Sequence, residues 1–133
     1  MSAALLDTSA AIAFLRGRAP LGDVLARLDR IVLTPIVAAE LLAVAGDAGK
    51  KARGRVNALL DGPRIEWVAI TRETSVRYAA IKRSLQAAGT PAPTNDVWIA
   101  ASAMEHGLTV LTLDRHFLTI PQILVEYFEP EKS

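Results

Sequence analysis

The feature that most constrains this chain is the regular alternation of short apolar runs with helical segments from end to end. Five runs are predicted to be strands, at residues 3–7, 31–33, 65–70, 109–112 and 123–125. Strands that alternate with helices favour a parallel sheet covered on both faces. We therefore expect an α/β fold, formed as a single domain over residues 1–133.

Composition excludes several classes of protein. Apolar residues make up 51% of the chain, but the longest apolar runs are far too short to span a bilayer. The first residues lack the positive and long apolar regions of a signal peptide. The chain has no cysteine, which excludes disulfides and thiolate metal sites. We expect a cytoplasmic protein without membrane contact.

The net charge of the chain conceals an uneven distribution. Fifteen Lys and Arg residues oppose fourteen Asp and Glu residues, which gives a formal net charge of +1. If four of the acids gather in one metal site, a clear excess of bases is left for the rest of the surface. Such a surface would tolerate a polyanion, although the net charge alone does not indicate nucleic-acid binding.

The first candidate site residues lie where the opening apolar run meets a small-residue helical segment. Asp7, Thr8 and Ser9 follow the run and precede that segment. In an open α/β sheet this junction is a strand's carboxyl end, where ligands bind. The alternative is that one of the three side chains only caps the helix, and the two interpretations have about equal weight.

Glu40 is the acid that is hardest to explain by local structure. Its predicted helix, residues 36–45, is apolar nearly all round, so we expect this helix and Glu40 to be buried. A buried lone carboxylate is costly unless it is paired or binds a metal. The alternative is a side chain that reaches solvent or pairs with an arginine.

Two further acids stand at predicted element ends. Asp96 begins a helix of small apolar residues predicted at 96–105, and Asp114 follows the fourth strand. Asp96 could instead cap its helix or be favoured by the helix dipole. Asp114 could instead be an ordinary turn aspartate.

Together the four acids predict one metal site. Right-handed crossovers bring the carboxyl ends of parallel strands to one edge of the sheet. Carboxylates that meet there repel one another unless a cation joins them, and oxygen ligands without cysteine favour Mg²⁺ or Mn²⁺. Such ions serve phosphoryl-transfer chemistry.

Four segments carry a resemblance to a known family. In order and spacing, the chain resembles a PIN-domain ribonuclease of the VapC toxin type. The matching segments are Leu6-Asp7-Thr8-Ser9, Pro35-Ile36-Val37-Ala38-Ala39-Glu40-Leu41, Asn95-Asp96-Val97-Trp98-Ile99-Ala100-Ala101 and Leu111-Thr112-Leu113-Asp114-Arg115-His116-Phe117. Each segment alone is unspecific, whereas the four in order are a strong signal.

The resemblance implies a three-layer α/β/α fold with a parallel five-stranded sheet. It implies endonucleolytic cleavage of structured RNA, such as transfer RNA or a ribosomal loop, with Mg²⁺ or Mn²⁺. It also implies a type II toxin–antitoxin pair with a VapB-type antitoxin, and homodimers. The matched positions make Asp7, Glu40, Asp96 and Asp114 the acidic quartet, with Thr8 and Thr112 as supporting groups. Many relatives carry Asn at the position of Asp114, which suggests that this residue tunes metal binding.

A PIN fold that binds RNA or its antitoxin without cutting is the alternative function. A receiver domain has a similar architecture but requires acids and a lysine that this chain lacks at the corresponding strand ends.

Other residues admit both structural and functional interpretations. The basic segment Lys50, Lys51, Arg53 and Arg55 is either a solvated helix face or a contact for the RNA backbone. The histidines, His106 and His116, are predicted to be a helix-end and a loop residue rather than catalytic groups.

Overall fold

The computed structural model describes residues 3–131 and has a parallel sheet at its centre. The five strands are β1 Ala3–Leu6, β2 Arg30–Leu33, β3 Ile65–Trp67, β4 Thr109–Thr112 and β5 Leu124–Tyr127. Their order is β3-β2-β1-β4-β5, and every neighbouring pair is parallel. The predicted α/β fold with a parallel five-stranded sheet is therefore confirmed.

Helices connect the strands and give the three-layer α/β/α arrangement. They are α1 Thr8–Leu15, α2 Ala19–Ala26, α3 Pro35–Ala48, α4 Lys50–Leu60, α5 Arg72–Ala88 and α6 Thr94–His106, with a short 3-10 helix at Arg115–Thr119. Helix α3 packs on α4, and α5 packs on α6. Within residues 3–131, no helix has both the length and the hydropathy needed to cross a bilayer.

The central strand β1 fixes the position of the residues that follow it. All four of its residues are buried, as expected for a strand paired on both sides and covered on both faces. Leu5 is in register with Val32 of β2 and with Val110 of β4. The backbone N–H of Asp7 still donates to the Leu111 carbonyl at 3.2 Å, so the two strands are aligned as far as Asp7.

Local signals in the sequence explain several helix ends. The Thr34 hydroxyl accepts from the Val37 N–H at 3.3 Å, and proline occupies the first turn of α3, where no N–H is needed. Thr71 and Thr74 form a capping box at the start of α5. Gly107 ends α6 at φ +64°, a backbone conformation that glycine adopts without strain.

Some predicted boundaries differ from those observed. The strand predicted at 65–70 ends at Trp67, because its partner strand β2 ends at Leu33. The Leu33 carbonyl accepts the last backbone hydrogen bond between the two strands, from the Val68 N–H. Helix α2 begins at Ala19, and Pro20 is tolerated in its first turn. The last strand, predicted at 123–125, lies at Leu124–Tyr127.

The prediction that α3 is buried nearly all round is wrong. Leu42 is 45% exposed and Val44 is 58% exposed, and Glu40 is only half-buried. The buried face consists of Val37, Ala38, Leu41 and Ala45. The mistake arose because an apolar outer face looks like a core face when hydrophobicity is the only signal.

Candidate active site

Asp7 lies at the junction between β1 and α1 and is 3% exposed. One carboxylate oxygen, Oδ1, accepts from the Ala10 N–H at 2.8 Å and so caps α1. The other, Oδ2, accepts from the Thr112 hydroxyl at 2.5 Å. The Ser9 hydroxyl lies 2.8 and 2.9 Å from the two oxygens. The carboxylate is therefore held in one orientation.

Asp114 follows β4, the strand beside β1, and is tied to the same network. Its N–H donates to the Thr112 hydroxyl at 2.8 Å, and the Leu113 N–H donates to Ser9 Oγ at 2.9 Å. The Asp114 carboxylate accepts from the His116 N–H at 2.9 Å and caps the 3-10 helix. Asp114 is therefore both a turn residue and a neighbour of Asp7.

Asp96 lies in the first turn of α6, two residues inside the helix that begins at Thr94. The interpretation of Asp96 as a helix cap is wrong, because the cap position is Pro93, without a side-chain cap bond. The Asp96 side chain is 17% exposed, and its Oδ2 is buried with no hydrogen-bond partner among residues 3–131. A helix N-terminus favours a negative charge, which lowers the cost of this carboxylate.

His116 is a neighbour that sequence reasoning missed. Its Nδ1 lies 2.9 Å from Asp114 Oδ1 and 3.6 Å from Asp96 Oδ2. One ligand atom from each of these three residues lies within 4.8 Å of the other two. The sequence signal that could have identified His116 was its position two residues after Asp114. When an aspartate caps a helix, a histidine two residues later can turn its ring back towards the capping carboxylate. Ser9 was also missed as a partner of Asp7.

Glu40 reaches the junction through Thr8, the first residue of α1. The Thr8 hydroxyl donates to Glu40 Oε1 at 2.6 Å. Thr8 therefore contacts Glu40 as Thr112 contacts Asp7. The predicted RNA-binding residues Lys50, Lys51, Arg53 and Arg55 are all exposed on α4, and in the described part of the chain none forms an ion pair with the four acids.

Burial and mutual repulsion change the protonation of the site. Burial, followed by the charges of Asp114 and Asp7, raises the pKa of Asp96 to about 7, although His116 opposes this shift. Burial also raises the pKa of Asp7 against the hydrogen bonds from Thr112, Ala10 and Ser9. Asp96 is therefore a partly buried acid whose pKa lies near neutral pH in the absence of a cation.

The donor set fits a divalent cation. It offers carboxylate oxygens, one of them buried and without a hydrogen-bond partner among the described residues, and an imidazole nitrogen nearby. Hard oxygen ligands suit Mg²⁺ and Mn²⁺, and Mn²⁺ also accepts imidazole. A cation would compensate both the burial and the repulsion that together raise the pKa of Asp96.

Comparisons with known sequences agree with this geometry. The sequence profile of the PIN domain family matches residues 4–122. Ribonuclease VapC4 from Mycobacterium tuberculosis is 37% identical over 62 residues, which are 47% of this chain and 48% of that protein. The chain thus spans about half the length of the curated relative it matches.

Solved structures match over nearly the full length of the chain. VapBC2 from Rickettsia felis, bound to a DNA fragment from their promoter, has a TM-score of 0.86 at 21% identity, over 96% of this chain and 99% of that one. VapBC-5 from Mycobacterium tuberculosis, of the VapBC toxin–antitoxin family, has a TM-score of 0.71 at 28% identity, over 98% and 100%. Because the profile match covers most of its length, this chain belongs to the PIN domain family.

Proposed function

We propose that this protein is a divalent-metal-dependent endoribonuclease and the toxin of a type II toxin–antitoxin pair. The observation that carries the proposal is Asp96, which lies beside Asp114 and has a buried oxygen with no hydrogen-bond partner in residues 3–131. Burial raises the pKa of Asp96 most, and the charges of Asp114 and Asp7 add to the rise. An arrangement that is unfavourable without a cation is expected where function requires the cation.

In this proposal Asp7, Asp96 and Asp114 hold Mg²⁺ or Mn²⁺, and Glu40 is the fourth acid of the site. The ion, when bound, supplies a Lewis acid that activates water and offsets negative charge on the scissile phosphate. Thr112 and Ser9 keep Asp7 in one orientation, and Thr8 does the same for Glu40. Because these bonds are made before RNA arrives, the ligands need no reorganisation during the reaction.

The substrate and partners follow from the relatives. The name of the curated relative, a ribonuclease, and the family resemblance together support RNA as substrate, with transfer RNA or ribosomal RNA as the structured targets. VapBC complexes among the similar structures support a VapB-type antitoxin as partner. We also expect a homodimer. An antitoxin arginine near Asp7 and Asp96 would match the acidic site, since a guanidinium pairs with carboxylates through two parallel bonds.

The test is cleavage of labelled RNA by purified protein, with Mg²⁺, with Mn²⁺ and with chelator. We expect cleavage that requires the ion and is abolished in Asp7→Asn. Asp23→Asn is the matched control, because Asp23 is exposed on α2. RNA binding without cleavage under every condition would replace the nuclease by the non-cutting PIN protein. Sequencing of RNA ends after induction in cells would identify the target.

A further inference from the structure

Beyond the acids, three contacts tie residues 129–131, here called the C-terminal tail, to two arginines. Arg18 Nη2 donates to the Glu129 carbonyl at 2.9 Å, and Arg18 Nε lies 3.7 Å from Glu131 Oε1. Arg115 Nη2 lies 3.2 Å from Glu129 Oε1. Two guanidinium groups from distant parts of the sequence thus meet at one acidic tail.

Each arginine is close to a residue of the candidate active site, Arg115 in the chain and Arg18 across a cavity. Arg115 stands between Asp114 and His116 in the chain. Arg18 and Glu131 line a cavity of about 420 Å³ whose wall includes Ser9, the residue that contacts Asp7. The other lining residues are Ile12, Ala13, Arg16, Gly17, Leu113 and Pro130. The tail therefore borders a cavity that reaches Ser9, the residue next to Asp7 in the hydrogen-bond network.

Arg18, beside this cavity, has one N–H donor that forms no hydrogen bond within residues 3–131. Its Nε is buried and has no hydrogen-bond partner among residues 3–131, since 3.7 Å to Glu131 is too long for a hydrogen bond. The Arg18 side chain is only 15% exposed, so water compensates poorly for the missing bond. A guanidinium edge suits an anion with several acceptor oxygens, such as a phosphate.

Arg115 is positioned by different contacts. Its guanidinium lies 5.0 Å from the centre of the Tyr127 ring, which holds it over β5 while its side chain remains exposed. The acids of the site repel an approaching phosphodiester, so positive groups beside them are needed to hold a nucleic-acid strand.

We propose that Arg18 and Arg115 bind phosphates of the RNA strand that enters the acidic site, and that the C-terminal tail covers them in the free protein. The two tail carboxylates and the Glu129 carbonyl then occupy the positions of RNA phosphates and are displaced when RNA binds. The carboxylates of Glu129 and Glu131 are mostly exposed, and exposed ion pairs are weak and screened by salt, so displacement is easy. The identity of the ligand as RNA rests on the proposed function.

The first experiment measures binding of a labelled single-stranded RNA by fluorescence anisotropy, in chelator, over a series of salt concentrations. Arg115→Gln and Arg18→Gln should each weaken binding several-fold. Each should also make the slope of the logarithm of the binding constant against the logarithm of the salt concentration less steep, by about 0.7 for each phosphate that the variant no longer binds. Arg83→Gln, on an exposed position of α5, is the matched control and should bind as wild type. Arg115→Gln is decisive, because Arg18 is mostly buried just before α2 and its replacement would also disturb packing there.

The second experiment reverses the sign of the effect. The double variant Glu129→Gln, Glu131→Gln should bind the same RNA several-fold more tightly, because it removes both tail carboxylates that compete for the arginines and leaves only the Glu129 carbonyl on Arg18. Glu126→Gln, exposed on β5, is the control. If Arg115→Gln and the tail variant both bind like their controls, the inference is overturned.

The two proposals fail in different ways. A wild-type protein that cleaves RNA with Mg²⁺, while Arg115→Gln and the tail variant bind RNA unchanged, leaves the ribonuclease proposal intact and overturns this one. A wild-type protein that does not cleave RNA, while Arg115→Gln weakens and the tail variant strengthens binding, supports the arginine surface and overturns the nuclease.

Discussion

Asp7 combines two roles that the sequence presented as alternatives. Its carboxylate caps α1 through the Ala10 N–H, and the same carboxylate lies in the acidic site with Thr112. The two roles are compatible because the cap position of a helix that follows a strand is also the strand's carboxyl end. Burial raises the pKa of Asp7, and the cap bond opposes that rise and so offsets part of the cost of burial.

Removal of one acid should affect cleavage according to its place in the site. Asp7→Asn and Asp96→Asn should each remove nearly all metal-dependent cleavage, because each removes a buried anionic oxygen. Asp114→Asn should be milder, since this side chain is 33% exposed against 17% for Asp96. Single-turnover cleavage rates would decide, with Asp23→Asn as control. Wild-type rates in Asp7→Asn or Asp96→Asn would refute their assignment to the site.

Repulsion within the site gives a separate prediction about stability. In chelator at neutral pH, Asp96→Asn should melt higher than wild type by a few degrees for each ~1 kcal/mol of relieved repulsion. Magnesium should raise the melting temperature of wild type, because the ion binds only the folded site, and should raise that of the variant less. Thermal melting with and without Mg²⁺ measures both effects. A wild type indifferent to Mg²⁺, with a less stable variant in chelator, would contradict a shared metal site.

At the scale of elements, capping and glycine signals were the most reliable guides. Thr34 and Thr71 stand just before α3 and α5, and Gly89 and Gly107 stand just after α5 and α6. These signals are local, since a cap bond joins residues three apart in sequence. The contact between His116 and Asp96 depends instead on how a turn folds against another helix, which no local pattern records. The apolar outer face of α3 was misjudged because hydrophobicity alone does not tell an outer face from a core face.

Helix α4 permits a test of the predicted basic segment. The double variant Lys50→Ala, Lys51→Ala should weaken RNA binding. The slope of the logarithm of the binding constant against the logarithm of the salt concentration should become less steep by about 0.7 for each phosphate that the two lysines bind in wild type. The control is Lys82→Ala, Arg83→Ala, which removes the same charge from exposed positions of α5. Anisotropy titrations in chelator at several salt concentrations would measure the slopes. Equal slopes for the two variants would mean that the basic segment of α4 is only a solvated face.

At the scale of the whole molecule, strand order determines which acids meet. The chain runs from β1 outward to β3 and then returns to place β4 on the other side of β1. The crevice between β1 and β4 is thus the point where the strand order reverses, which is where open α/β sheets bind ligands. Asp7 and Asp114 follow these two strands. The alternation of elements predicted a parallel sheet, but spacing alone could not give this order, because it depends on long-range pairing.

The raised pKa of Asp96 connects the site to the stability of the whole fold. Its folded-state pKa is about 7 against 3.8 for the free side chain, so the metal-free folded state holds a proton that the unfolded state has released. The free energy of unfolding should therefore fall as pH rises from about 4 to about 7 and change little above that, as far as Asp96 is concerned. Asp7, whose pKa is also raised, acts in the same direction.

Urea unfolding in chelator at a series of pH values tests this dependence. Other groups titrate over the same range, so the informative quantity is the difference in unfolding free energy between Asp96→Asn and wild type. The variant cannot take up the proton at residue 96, so its advantage over wild type should increase between pH 4 and 7 and then level off. Saturating Mg²⁺ should reduce the advantage, because the ion replaces the proton as the partner of Asp96. A difference that stays constant with pH would mean that Asp96 keeps an ordinary pKa and that the acids do not share one volume.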